Sequence, residues 1–187
     1  MKIFLASDHA GFEIKEAVRL YLVSLTDAFM QSVGSQEERV KTPQSCIDGT
    51  HECVPYSIKD FGTFDNNPID YVDTGLLAAE AVAKESGNPD PAYGILVCGT
   101  GQGMNMIANK VKSIRACLCL TPEFAKLARQ HNDANILVLA GRFIEPELAI
   151  EIVRTFLNEP FSDEVRHKNR INKIDKYEVT DGKHQKI

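Results

Sequence analysis

A parallel-sheet α/β sandwich, with helices on both faces, is the fold class this sequence predicts, and three observations carry it. Short apolar runs alternate with segments of helical period, the helical segments open on recognisable start signals, and glycines gather where the apolar runs end. Four such pairs follow one another: KIFLAS with GFEIKEAVRLYLVSL, AYGILVCG with GMNMIANKVK, IRACLCL with TPEFAKLARQHN, and NILVLAG with EPELAIEIVRTFLN. Strands joined through helices lie parallel, and a sheet covered on both sides needs strands that are apolar throughout. The result is a sandwich of the nucleotide-binding type.

The first run is too short for a signal peptide's apolar region or a membrane span before it meets Asp8 and His9, so it reads as a first strand. Residues 31–57 break the rhythm: they are polar, rich in turn formers and without a sustained period, and they read as an inserted loop. Thr121, Pro122 and Glu123 supply an N-cap, a first-turn proline and a first-turn acid, and Glu145-Pro146-Glu147 opens the next helix in the same way. The chain closes with a polar helix, FSDEVRHKNRINKIDKYE, and a solvated tail. With 187 residues, 43% of them hydrophobic, one core and hence a single domain over 1–187 is expected.

The charge balance, 21 basic against 26 acidic residues, gives −5 and no basic footprint, so neither nucleic acid nor membrane is expected as a partner. Five cysteines are an odd number, and Cys98, Cys117 and Cys119 sit in apolar runs as small buried hydrophobes, a usage that suits the reducing cytoplasm. Cys46, His51 and Cys53 make an incomplete ligand set for zinc, and no metal is expected.

The most informative stretch is LVCGTGQGMN, a thiol at the end of an apolar run followed by glycines at 99, 101 and 103. In parallel α/β sheets the ligand crevice lies beyond the carboxyl ends of the strands. Glycines there let a ligand approach the peptide N–H groups, and the following helix start adds partial positive charge. Such a cup takes either a phosphate or a negative charge that arises during reaction; the adjacent Cys98 favours the second, because a thiolate is stabilised in such a place and suits a base or nucleophile. A buried structural cysteine beside a tight turn is the bland alternative, of about equal weight. The loop does not fit the G-x-G-x-x-G nucleotide fingerprint.

Asp8, His9 and Gly11 follow the first strand; His9 either contacts an anion or helps Asp8 cap the helix, and spacing favours the cap. His131 and Asn132 stand between a helix and a strand, where a proton shuttle and a polar helix stop are equally good readings. Arg166 and Arg170, four apart with His167 and Lys168 alongside, can clamp a phosphate, although such clusters are more often solvated surface. Arg142 is better placed, at the end of NILVLAG.

Taken together, SDHAGFEIK, DFGT, IDYVD, GILVCGTGQGMNMIANK, HNDANILVLAGR and RHKNR resemble the type B ribose-5-phosphate isomerases, a family that includes the galactose-6-phosphate isomerase subunits of the lactose pathway. The resemblance spans most of the chain outside the insertion. It implies a Rossmann-like fold, a homodimer often paired into a tetramer, and aldose–ketose interconversion of a phosphorylated sugar without metal or cofactor. By motif position Cys98 would be the base that moves a proton between C1 and C2, and the N–H groups around Gly99, Gly101 and Gly103 would hold the enediolate, whose charge appears only as the proton leaves. His131 would open the furanose, with Asp8 and Thr100 as hydroxyl partners. Asn132 would position the sugar, Tyr71 and Asn105 would line the pocket, and His9, Arg142, Arg166 and Arg170 would bind phosphate. The resemblance also implies an active site shared between subunits, His131, Asn132 and the late arginines serving the partner's Cys98.

Two departures from the family pattern stand out. DYVDT replaces the usual DYPDY, and Asp163-Glu164-Val165 stands where two glycines usually precede the arginine-histidine pair, so extra carboxylates approach the implied phosphate clamp. Ribose 5-phosphate leads as substrate, with allose or galactose 6-phosphate as the alternative and a non-catalytic sugar-phosphate binder of the same fold as the reading from another class. A pure binder has no use for a base and a ring-opening acid together.

Overall fold

The computed structural model describes residues 1–33 and 56–179. In chain order it contains β1 (Lys2–Ser7), a 3-10 turn at His9–Gly11, α1 (Phe12–Val33), β2 (Ser57–Asp60), α2 (Tyr71–Lys84), β3 (Ala92–Cys98), α3 (Gln102–Ala108), β4 (Ala116–Leu118), α4 (Pro122–Asn132), β5 (Ile136–Ala140), α5 (Pro146–Asn158) and α6 (Val165–Val179). Cys46, His51 and Cys53 lie outside the described residues, as does most of the inserted loop expected at 31–57. At its two ends that expectation is corrected, because α1 continues through Val33 and Ser57 opens β2.

The strands form one sheet in the order β2-β1-β3-β5-β4, every pair parallel. Alternation within each strand sends one set of apolar side chains to each face. Ile3, Leu5, Ile95, Val97, Leu137 and Leu139 meet α1, α4 and α5 on one side. Phe4, Ala6, Leu96, Cys98, Ile136 and Val138 meet α2 and α3 on the other. Each large aliphatic side chain removed from water this way contributes roughly 1.5–3 kcal/mol, which is why the strands read as unbroken apolar runs. The architecture is the three-layer, Rossmann-like sandwich that the pattern predicts.

Local signals behave as their chemistry requires. Thr121 Oγ1 accepts from the Phe124 N–H at 3.3 Å to start α4, and Asp133, in left-handed conformation at φ 44°, ends it. Two elements have no counterpart in the sequence reading. The α2 helix buries Thr74, Gly75, Ala78, Ala79 and Val82, a face too small and too polar to stand out as apolar, although Asp70 caps it through the Val72 N–H at 2.9 Å. The β2 strand, SIKD, alternates exposed and half-buried residues at the sheet edge. It is pinned there by Lys15, a fully buried ammonium on α1 that pairs with Asp60 and Glu16.

From β1 the chain crosses to β2 on one side and later to β3 on the other. The order therefore reverses between β1 and β3, and the crevice at their carboxyl ends is where such sheets bind ligands. No helix among the described residues is long and apolar enough to cross a membrane.

Candidate active site

At the end of β1 the Asp8 N–H donates to the Val97 carbonyl at 3.2 Å, which seats the turn beside β3. The Asp8 carboxylate accepts from the Gly11 N–H at 2.9 Å and caps the 3-10 turn that launches α1. Capping is therefore the work of Asp8 alone, and the expectation that His9 shares it is corrected. His9 Nδ1 accepts from the Ile69 N–H at 3.4 Å, which leaves the proton of a neutral ring on Nε2. Ser7 Oγ, just before them, is buried and has no hydrogen-bond partner among the described residues; only its place at a strand end beside Asp8 could have marked it in the sequence.

The end of β3 brings Cys98 to the same edge, its side chain 4% exposed on the α2/α3 face. Gly101, at φ 74°, takes the left-handed conformation that turns the chain into α3. Thr100 Oγ1 accepts from the Gln102 N–H at 3.3 Å. The N–H groups of Thr100 and Gly101 themselves donate to no acceptor among the described residues. At Gly103 a Cβ would come within 2.5 Å of the Tyr71 ring, so glycine is what lets the first turns of α2 and α3 touch. One turn on, half-buried Asn105 uses its carbonyl to hold Asn109 Nδ2 at 2.9 Å.

The loop after β5 closes the group. The Gly141 N–H donates to the Cys98 carbonyl at 2.8 Å and the Arg142 N–H to that of Gly99 at 3.0 Å, and Arg142 Nε lies 3.3 Å from where a Gly99 Cβ would be. Beside it opens a crevice of about 460 Å³ lined by His9, Glu13, Asn66, Gly141, Arg142 and Glu145. Asp8, His9, Tyr71, Cys98 to Gly103, Asn105 and Arg142 thus share one edge of the sheet. Cys117 and Cys119 do not belong to it; burial raises the Cys117 thiol above its usual range and pushes that of Cys119 up to about 12, so both stay protonated.

The remaining candidates stand at the opposite edge. The α4 helix starts beyond the carboxyl end of β4 and runs back, so His131 and Asn132 in its last turn precede β5, whereas Arg142 follows it. Five strand residues at about 3.3 Å each set these groups roughly 15 Å apart or more within one chain. Arg166 and Arg170 are exposed on α6, which packs on α4. The two extra carboxylates are already engaged: Glu164 Oε2 binds Arg166 Nε at 2.7 Å and Asp163 binds Lys168 at 3.0 Å. The Arg166 hydrogen bond is the main reason the Glu164 carboxyl titrates below its ordinary range.

His167 is the residue whose surroundings the sequence hides most completely. It is 1% exposed, its Nδ1 lies 2.8 Å from Ser162 Oγ, and its ring packs at a tilt of 42° against that of His131 with centroids 4.4 Å apart. Burial first, then the positive charges of His131, Arg166 and Arg170, hold its imidazole below the usual range, Glu164 acting the other way. An unfolded histidine takes up its proton near pH 6.5 and folded His167 only at lower pH, so in between the unfolded chain binds more protons. The stability this group contributes is complete above about pH 6.5 and is lost as the pH falls through that lowered value. Melting temperatures measured from about pH 7.5 down to 5 should fall less steeply for His167→Phe than for the parent chain.

Residues 51–174 match the ribose/galactose isomerase family. The chain is 38% identical over 178 residues to the probable ribose-5-phosphate isomerase B of Mycoplasma genitalium, with 94% of this chain and 95% of that one covered. It is 36% identical to a putative sugar phosphate isomerase of Bacillus subtilis, covering 95% and 97%. Among solved structures, the ribose 5-phosphate isomerase of Thermotoga maritima is 40% identical with a TM-score of 0.72, over 94% of this chain and 97% of that one. The Mycoplasma genitalium enzyme with bound ribulose-5-phosphate is 35% identical with a TM-score of 0.74, over 95% and 96%.

Proposed function

This chain belongs to the ribose/galactose isomerase family, and we propose that it interconverts ribose 5-phosphate and ribulose 5-phosphate through an enediolate, as a single sugar-phosphate isomerase domain without metal or cofactor. The observation that carries the chemistry is Cys98 at a strand end beside the undonated N–H groups of Thr100 and Gly101. Cys98 as thiolate takes the proton from C2 of the open aldose. The C2–H electron pair becomes the C1–C2 double bond, and the carbonyl oxygen O1 gains the negative charge that the two N–H groups meet. A proton passes from the O2 hydroxyl to O1, with Asp8 and Thr100 as the hydroxyl partners, and the sulfur returns its proton to C1 as the C2=O2 carbonyl of the ketose forms. His131 gives a proton to the ring oxygen as its bond to C1 breaks, the anomeric O1 hydroxyl releases its proton to solvent as the C1=O1 carbonyl forms, and Asn132 and Tyr71 orient the sugar.

The split of these residues between two sheet edges is what supports a shared site. The His131 edge of one subunit meets the Cys98 edge of another in a homodimer, and two dimers can pair into a tetramer. Leu120, Phe124 and Leu127 at the start and outer face of α4, together with Met106 of α3, are exposed apolar side chains that such a neighbour would cover. Phosphate is held by His9 and Arg142 from one side and by Arg166 and Arg170 from the other. Arg170 has no ion pair among the described residues, unlike Arg166, so it is the freer of the two. Cys98, Cys117 and Cys119, all free thiols, suit the cytoplasm.

An isomerisation assay across pentose and hexose phosphates tests the substrate. Ribose 5-phosphate should exceed allose and galactose 6-phosphates by about tenfold or more in kcat/KM, and a hexose phosphate in first place would refute the assignment. For Arg170→Ala, KM should rise about tenfold with kcat within about twofold, because a phosphate clamp binds ground and transition states alike. A change confined to kcat would count against that role.

A further inference from the structure

Catalytic histidines are ordinarily aimed by a hydrogen bond on the second ring nitrogen. His131 has none: its half-buried ring makes no hydrogen bond among the described residues, and its ring contact there is with His167, centroid to centroid 4.4 Å and tilted by 42°. His167 is itself firmly held. The Ser162 N–H donates to the Gln130 carbonyl at 3.2 Å, one residue before His131 on α4, and Ser162 Oγ meets His167 Nδ1 at 2.8 Å. Ser162 Oγ also accepts from the Glu164 N–H at 3.4 Å, so its own proton is free to point at Nδ1, which leaves the neutral ring's proton on Nε2.

We infer that His167 is a positioning residue for ring opening: its buried imidazole, anchored through Ser162 to the α4 backbone, is the surface that sets the direction of the His131 ring. The inference rests on the ring-opening role proposed for His131. Two imidazoles with centroids 4.4 Å apart cannot both carry charge comfortably, so the pair divides its labour. His131, Arg166 and Arg170 crowd His167 with positive charge against the single carboxylate of Glu164, and burial acts in the same sense as the cations. The buried ring stays neutral, and the more exposed one is left to exchange a proton with the sugar.

Substrate chemistry separates this role from simple structural support. Ribose 5-phosphate rests as a furanose and must be opened. Ribulose 5-phosphate cannot close on C2, because its O5 is esterified. Exchange of its C1 hydrogen into D2O, followed by NMR, reads proton transfer without ring opening. In the full-length chain His167→Ala should lower kcat from ribose 5-phosphate roughly tenfold or more, since small errors of aim are costly. KM and the ribulose 5-phosphate exchange rate should both stay within about threefold of the parent. Equal loss of turnover and exchange, or no loss of turnover, overturns the inference. His167→Phe keeps the ring face and cannot be charged; turnover within about threefold supports the inference, and a tenfold loss overturns it even if the alanine variant fails to fold. If His131→Ala keeps normal turnover, the ring-opening reading falls and this inference with it. If His131→Ala is impaired while His167→Ala is not, the inference alone falls.

Discussion

Cys98→Ala will lower kcat by roughly 10²–10⁴-fold and leave KM within about threefold, because it deletes the proposed base and little of the binding surface. The sulfur sits at the end of β3, almost fully buried on the α2/α3 face, and its backbone is fixed by the Gly141 N–H on one side. Alanine removes one atom there and leaves the Gly99 to Gly103 turn in place, so substrate affinity has no reason to change. Among the described residues no second thiol can take over, since Cys117 and Cys119 are held in the protonated form by burial. The C1 hydrogen exchange of ribulose 5-phosphate should disappear together with turnover, in contrast to the ring-opening variants, where it survives. Near-normal turnover in Cys98→Ala would mean that the proton is moved by another group.

The second large effect is a recovery. Cys98→Ala and His131→Ala chains, each nearly inactive alone, should regain about a quarter of parent activity when unfolded and refolded together in equal amounts. Random pairing makes half of the dimers mixed, and in each mixed dimer one site carries both substitutions while the other carries neither. The gain follows only if a site draws Cys98 from one chain and His131 from another, the sharing proposed from their places at opposite edges of the sheet. Refolded mixtures that stay inactive, with dimers present by light scattering, would show that each site is assembled from a single chain.

Much of this architecture is legible in the sequence because burial on both faces writes a strand as an unbroken apolar run. KIFLAS, AYGILVCG and NILVLAG map closely onto β1, β3 and β5 for that reason. The segment IRACLCL overstates β4, which pairs only over Ala116–Leu118, because apolar character extends past the paired residues. The helix α2 escapes notice since alanine, glycine and threonine form its buried face, and β2 since an edge strand with one large apolar residue, Ile58, resembles a loop. At the site, the Cys98 turn is readable from its glycines. The partner of His9 is not, since Ile69 lies sixty positions away and contributes only a backbone N–H. The burial of His167 is equally hidden. In sequence it sits within a charged helix, and only the docking of α6 on α4 turns it inward against His131.

The placement of β1 in the interior of the sheet bears on how the chain is born. The register joins Lys2 to Ala92, about 90 positions later in the chain, so Lys2 to Ser7 leave the ribosome well before that neighbour. At 5–20 residues per second, the sticky segment KIFLAS waits roughly 5–20 s for that neighbour. Its faces can be covered sooner by α1 and α2, but of its two strand neighbours only β2, an edge strand with one large apolar residue, is made before β3. Closure of the sheet on both sides of β1 therefore waits on the synthesis of β3.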